Sequence, residues 1–286
     1  MNALQKKLSV AALIAFALCG ISYLPFVREK SAPRAFPTAL LNPAYADTVS
    51  RIVIGQGAYT VTLEKTQTWT ATDGQTTVRA DSTVVQRFLD AAASVRNMYI
   101  ISDRSDQVPP SSVRVAFQDG DTMYTQVDFL GENALTNRIM LAVSSQDAVF
   151  ETENDLAPFL QPTVRYWAKP ELIQTVDAPA SFVWQEAGKK PVTVSKASED
   201  FAQVAHDVMA LRHGAIVPVQ DDGSAQVAEL TVSGEGARER IRFVPQGDGS
   251  FHCAYTFSGT ENRSLSVAFD ISGWTFERLR GMFSGR

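Results

Sequence analysis

The chain has 286 residues, 45% of them apolar, enough to bury one or two cores, so disorder is not the expectation. Its 26 Lys and Arg against 31 Asp and Glu leave a formal charge of -5, which offers no pull toward a phosphate backbone and excludes nucleic acid as the expected partner. Past the first segment there is no dense Lys/Arg cluster to hold a domain on anionic lipid either.

Lys6 and Lys7 precede an uncharged run from Leu8 to Val27. As a helix this run would reach about 30 Å, the thickness of a bilayer's hydrocarbon core. Residues 1–27 are therefore read as an uncleaved signal anchor, with membrane contact through Leu8 to Val27. The short tail before it stays in the cytoplasm, which places the rest of the chain outside a bacterial inner membrane, single-pass. Two rival readings are open. The small-x-small triplet Ala44-Tyr45-Ala46 would suit a cleaved signal but lies well beyond the apolar run. Cys19 would suit lipid attachment but follows Leu18, where that processing needs a small residue.

Residues 28–46, with Pro33, Pro37 and Pro43 and little periodicity, read as an extended linker. Strand signals follow. Ile52 and Ile54, then Tyr59, Val61 and Leu63, then Trp69, alternate with polar residues, with Gly55 and Gly57 marking the first turn. Asp81 or Ser82 is placed to cap a helix whose apolar face is Val85, Phe88, Leu89, Ala92 and Val95. Tyr99 to Ile101 reads as a short strand, and Pro109-Pro110 breaks the chain. Four more strands are carried by Val113 to Phe117, Val127 with Phe129, Ile139 to Val143, and Val149 with Phe150, joined by turns at Asp119-Gly120 and Gly131-Glu132-Asn133. The class is α+β with mostly antiparallel pairing.

The second half runs through the same order. Phe201, Val204, Ala205, Val208 and Leu211 repeat the helix face 116 positions on, counted from Val85 to Phe201. Ile241 and Phe243 answer Val127 and Phe129 at a spacing of 114, and Cys253, Tyr255 and Phe257 answer Ile139, Leu141 and Val143. Phe269-Asp270 echoes Phe150-Glu151, each before a short helical stretch. The expected organisation is thus two similar α+β units of one main helix each, 47–173 and a more divergent 174–286.

Chemistry-bearing motifs are sparse. His206, His213 and His252 stand in no metal-ligand spacing, and His206 and His213 read as polar or capping residues of the second helix. There is no Gly-x-Ser-x-Gly elbow and no Walker loop. The pairs Asp119 with Asp121, Asp221 with Asp222, and Glu199 with Asp200 fall beside turns or helix starts without calcium-loop spacing. Cys253 reads as a small buried residue, and no cofactor or metal is expected. The most distinctive segment is Val164 to Glu171, where Arg165, Tyr166, Trp167 and Lys169 form a candidate partner-binding patch, the residue types that concentrate interface energy. A junction between the halves, with Trp167 wedged into the core, is the competing reading of the same residues.

The runs NPAYADTVSRIVI, TVTLEK, TWTAT, ASVRNMYIISD, AVFETENDLAPFL and VRYWAKPELI, between Pro43 and Ile173, resemble the bacterial domain of unknown function 4340 family. The resemblance covers a little under half the chain and fits less clearly after Ile173. It implies an extracytoplasmic part of a membrane-anchored protein, an auxiliary component of an ABC-type, gliding-motility-like transport system with ABC permease subunits as partners, and it supplies no catalytic residues. The expectation is a non-enzymatic binding or scaffolding protein. Alternatives are an envelope hydrolase with carboxylates that the fold brings together, and a solute- or glycan-binding module lined by Trp69, Trp184 or Trp274.

Overall fold

The computed structural model describes residues 39–95, 98–103, 108–219, 226–258 and 265–284. The expected anchor at Leu8 to Val27 lies outside these residues, and no helix within them is long and apolar enough to cross a membrane. The fold is mostly antiparallel sheet, in two sheets, with few helices.

The first half contributes β1 (Arg51–Gln56), β2 (Tyr59–Lys65), β3 (Trp69–Thr72), β4 (Thr77–Arg79), β5 (Tyr99–Asp103), β6 (Val113–Asp119), β7 (Thr122–Asn133), β8 (Arg138–Val143) and β9 (Ala148–Thr152). The second contributes β10 (Pro179–Glu186), β11 (Val192–Ser195), β12 (Ile216–Val217), β13 (Ala228–Gly234), β14 (Arg238–Pro245), β15 (Phe251–Ser258) and β16 (Ala268–Ile271). The helices are α1 (Pro43–Ala46), α2 (Ser82–Ser94), α3 (Val164–Trp167), α4 (Phe201–Met209) and α5 (Gly273–Gly281), with a 3-10 turn at Asn154–Phe159.

Without its β3–β4 hairpin the first sheet runs β2-β1-β6-β7-β8-β9-β5, and the second runs β11-β10-β13-β14-β15-β16-β12. Position by position these are the same order, and in each half the main helix precedes the strand that ends the sheet. The pairing corrects one alignment made from the sequence. Phe129 faces Leu141 and Phe243 faces Cys253, so Leu141 corresponds to Cys253 and Val143 to Tyr255, two positions away from the expected match. The first hairpin carries the extra residues. Strand β7 continues through Gly131, where the register shifts at a bulge, and the turn lies beyond Asn133 rather than at Gly131 to Asn133. A two-residue slip leaves every side chain on its original face because the side-chain period is two, which is why alternation alone does not detect it.

Asp81 caps α2, its carboxylate accepting from the N–H of Thr83 at 2.9 Å and of Val84 at 3.3 Å. Val85, Phe88, Leu89 and Ala92 are buried on the first sheet, with Phe88 against Phe117, Phe159 and Trp167. Helix α4 buries Val204 and Val208 on the second sheet, and Phe276 and Phe283 close over Trp184. Two apolar clusters result, divided between Ala168 and Leu172, except that Val267 and Phe269 of the second half are seated in the first.

The linker expectation fails at its C-terminal end. Leu40 and Leu41 are buried in the first core, the N–H of Leu41 donates to Ala92 O at 3.2 Å, and Pro43–Ala46 is a helical turn capped by Asn42. Pro43, taken from the sequence as a sign of extended chain, instead opens a helix, where its fixed φ and missing N–H cost nothing. Residues 28–38 of the expected linker lie outside the described residues.

Candidate functional site

The segment 168–177 passes from one sheet to the other and is pinned along its length. Lys169 N–H donates to Arg79 O at 2.8 Å and Leu172 N–H to Leu211 O at 2.7 Å. The Tyr255 hydroxyl donates to Leu172 O at 2.9 Å. At its centre is Glu239, fully buried on the core-facing side of β14. Both of its carboxylate oxygens accept from the N–H of Gln174 at 3.0 Å, and one also accepts from the N–H of Thr175 at 2.8 Å and its hydroxyl at 3.0 Å. Burial pushes the Glu239 carboxyl up, against the pull of these donors and of Lys169. Glu239 falls in the inward register of Ile241 and Phe243, where the sequence gives no sign of a carboxylate with a job.

His213 is part of the same junction, correcting its reading as a polar helix-end residue. Its ring lies 3.6 Å from that of Phe269, with Nε2 2.8 Å from Lys169 O and Nδ1 3.0 Å from Gly214 O. Desolvation lowers its pKa and outweighs the two carbonyls that favour the charged ring. His206, by contrast, is exposed.

The four residues of the candidate patch do not act together. Trp167 is fully buried, edge-on to Tyr166 at 4.9 Å, with its indole N–H donating to Gln161 O at 2.8 Å, so it cannot face a partner. Lys169 is ion-paired to Asp177 at 2.9 Å, and Arg79 reaches the other oxygen of that carboxylate at 2.7 Å. The two cations overcome burial and hold Asp177 below the usual carboxylate range. Tyr166 is partly buried, and desolvation raises its phenol against the Arg87 guanidinium. Only Arg165 is exposed. It makes no hydrogen bond or ion pair among the described residues, whereas Arg79, Arg114, Arg138, Arg240 and Arg280 each have a carboxylate.

Arg165 lines a groove of about 660 Å³ where the two halves meet. Tyr59, Thr76 and Ser266 line it together with Arg165, and Ile216 and Val219 supply apolar surface. The N–H and C=O of Thr77 and Ser266 exchange hydrogen bonds at 3.0 Å, which ties the edge of the first sheet to the second beside the groove. Tyr59 is 71% exposed and Val219 56%, so the groove presents ring and alkyl surface to solvent. Asp73, also in the lining, is spent on its own turn, accepting from the N–H of Gln75 and Thr76.

A second hollow of about 520 Å³ lies on the outer face of the first sheet, floored by Gly55 and Ala116 and walled by Pro109 and Pro110. Arg114 in its lining is held by Asp128 at 2.7 Å. Of the tryptophans proposed to line a ligand site, Trp69 and Trp184 are core residues and Trp274 is exposed on α5 beside Arg278. Among the described residues no three His, Cys, Asp or Glu side chains come together to hold a metal. Cys253 is fully buried and its thiol is pushed well up, which leaves it inert. No protein-family model matches the chain, and no match was found among curated proteins or solved structures.

Proposed function

We propose that this chain is a non-enzymatic binding or scaffolding protein, anchored in the bacterial inner membrane through Leu8 to Val27, whose folded part outside the cytoplasm is an auxiliary component of an ABC-type envelope transport complex. In this reading the two sheets are diverged copies of one α+β unit, and their junction has become the contact site. The observation that carries it is the unpartnered Arg165 beside exposed Tyr59 and Val219 in a groove formed by both halves. Tyr and Arg are among the side chains that anchor interfaces most often. The transport setting comes from the family that the first half resembles.

The test is to crosslink the protein in its native membrane, recover it in mild detergent and identify what accompanies it. Recovery of an ABC permease or its ATPase with the wild type, reduced by Arg165→Glu with Tyr59→Ala, is the expected result. Clean recovery without such subunits under several crosslinkers would remove the transport assignment.

A further inference from the structure

We infer that the junction groove holds the free carboxyl end of an extended peptide. This rests on the reading of that groove as the partner-binding site and names the chemistry of what enters it.

Three features converge. Arg165 is exposed and makes no hydrogen bond or ion pair among the described residues, and the Asp73 carboxylate in the same lining is turned to the N–H groups of Gln75 and Thr76. A guanidinium offers two parallel N–H donors, the geometry a carboxylate accepts best. The lining beside it is alkyl rather than aromatic over Ile216, Val217, Pro218 and Val219, with Pro162 also contributing. Such a lining accepts an aliphatic side chain, whereas a saccharide would need more flat ring surface than Tyr59 alone gives.

The third feature is the strand in this lining. β12 ends the second sheet, so its outer edge has no strand partner among the described residues, and its backbone can pair with an added strand. Pro218 follows at once and has no N–H to donate. The ladder can therefore run for about two residues and then stops, which suits the short end of a chain. The volume of about 660 Å³ lies within the range of ordinary ligand sites.

The experiment uses the full chain in detergent and fluorescein-labelled hexapeptides ending in Val or Ile, each as free acid and as carboxamide, read by anisotropy. The free acids should bind about tenfold or more tightly than the carboxamides. Arg165→Gln should erase that difference, and Val219→Asp should weaken both forms. Both positions are exposed, so unchanged thermal unfolding confirms that the variants are folded. Equal binding of acid and amide overturns the inference, as does indifference to Arg165→Gln or no binding of either form at millimolar peptide. A uronate-terminated oligosaccharide that binds through Arg165 where the peptides do not also overturns it. If crosslinked subunits are still recovered while the peptides fail, the partner reading stands and only the peptide inference falls. If the peptides bind and no subunit is recovered, the transport assignment falls instead.

Discussion

Thr175 and Glu239 are 64 positions apart in sequence, yet a single carboxylate oxygen of Glu239 accepts both the N–H and the hydroxyl of Thr175, at 2.8 and 3.0 Å. The bonds tie the crossing between the sheets to the interior face of β14. Replacing Glu239 with Leu leaves the buried N–H groups of Gln174 and Thr175 without acceptors, and urea unfolding should show a loss of about 3 kcal/mol. Glu239→Gln keeps one acceptor oxygen and should cost about 1 kcal/mol.

The same residue sets a pH dependence. Because the folded-state pKa of Glu239 is raised above its ordinary value of 4.5, the native state binds its proton more tightly than the unfolded chain does. Its contribution is fully present below that value and is lost as pH rises through the folded pKa. The stability advantage of wild type over Glu239→Gln should therefore shrink as urea midpoints are followed upward from pH 4.5. An advantage that grew with pH would contradict the role of burial at this site.

Glu186 should behave in the opposite sense. Lys189 above all, with Arg280 and the Trp184 indole, holds its carboxyl at about 2 against the cost of burial. Its folded pKa is depressed, so its contribution is present above the ordinary value of 4.5 and is lost as pH falls toward about 2. Glu186→Gln should lower the thermal midpoint at neutral pH and leave it unchanged at the acid end of that window.

Trp167 and Arg165 are two positions apart and should separate stability from binding. Trp167→Ala empties the space beside Phe88 and should cost about 3–5 kcal/mol in a denaturant titration. Arg165→Ala should leave stability within about 0.5 kcal/mol and act only on partner recovery.

Gly234 ends β13 against the crossing segment. A Cβ there would lie 2.7 Å from Val176 Cγ1 and 2.8 Å from Ala178 O, and the second contact is backbone that cannot turn away. Gly234→Ala should destabilise by about 1–3 kcal/mol, measured by thermal unfolding.

What the sequence made legible follows from periodicity. The α2 face from Val85 to Ala92 and the alternation of Val113 to Phe117 report burial directly, because side-chain direction repeats with the backbone. The order of elements in the second half could be read for the same reason. Glu239 could not, since an isolated carboxylate in an alternating run looks like a break in the pattern, and its donors Gln174 and Thr175 lie in a segment with no periodicity. The Arg165 groove was half legible. Its residue types drew attention to Val164 to Glu171, but which of them faces solvent depends on one turn of helix, and Trp167 turns inward while Arg165 turns out. The packing of Leu40 and Leu41 was hidden by Pro43, which here begins a helix rather than extending a linker.

Phe269 completes a core whose other buried members, Val267 apart, all precede Leu172. During synthesis the first sheet is thus made long before the ring that joins its core, and the emerging chain carries that core unfinished until β16 arrives. Cutting the chain at the crossing segment would make this interval permanent. The early half, expressed alone, would offer that unfinished core to its neighbours, and its solubility rather than its secondary structure is where the loss would first be seen.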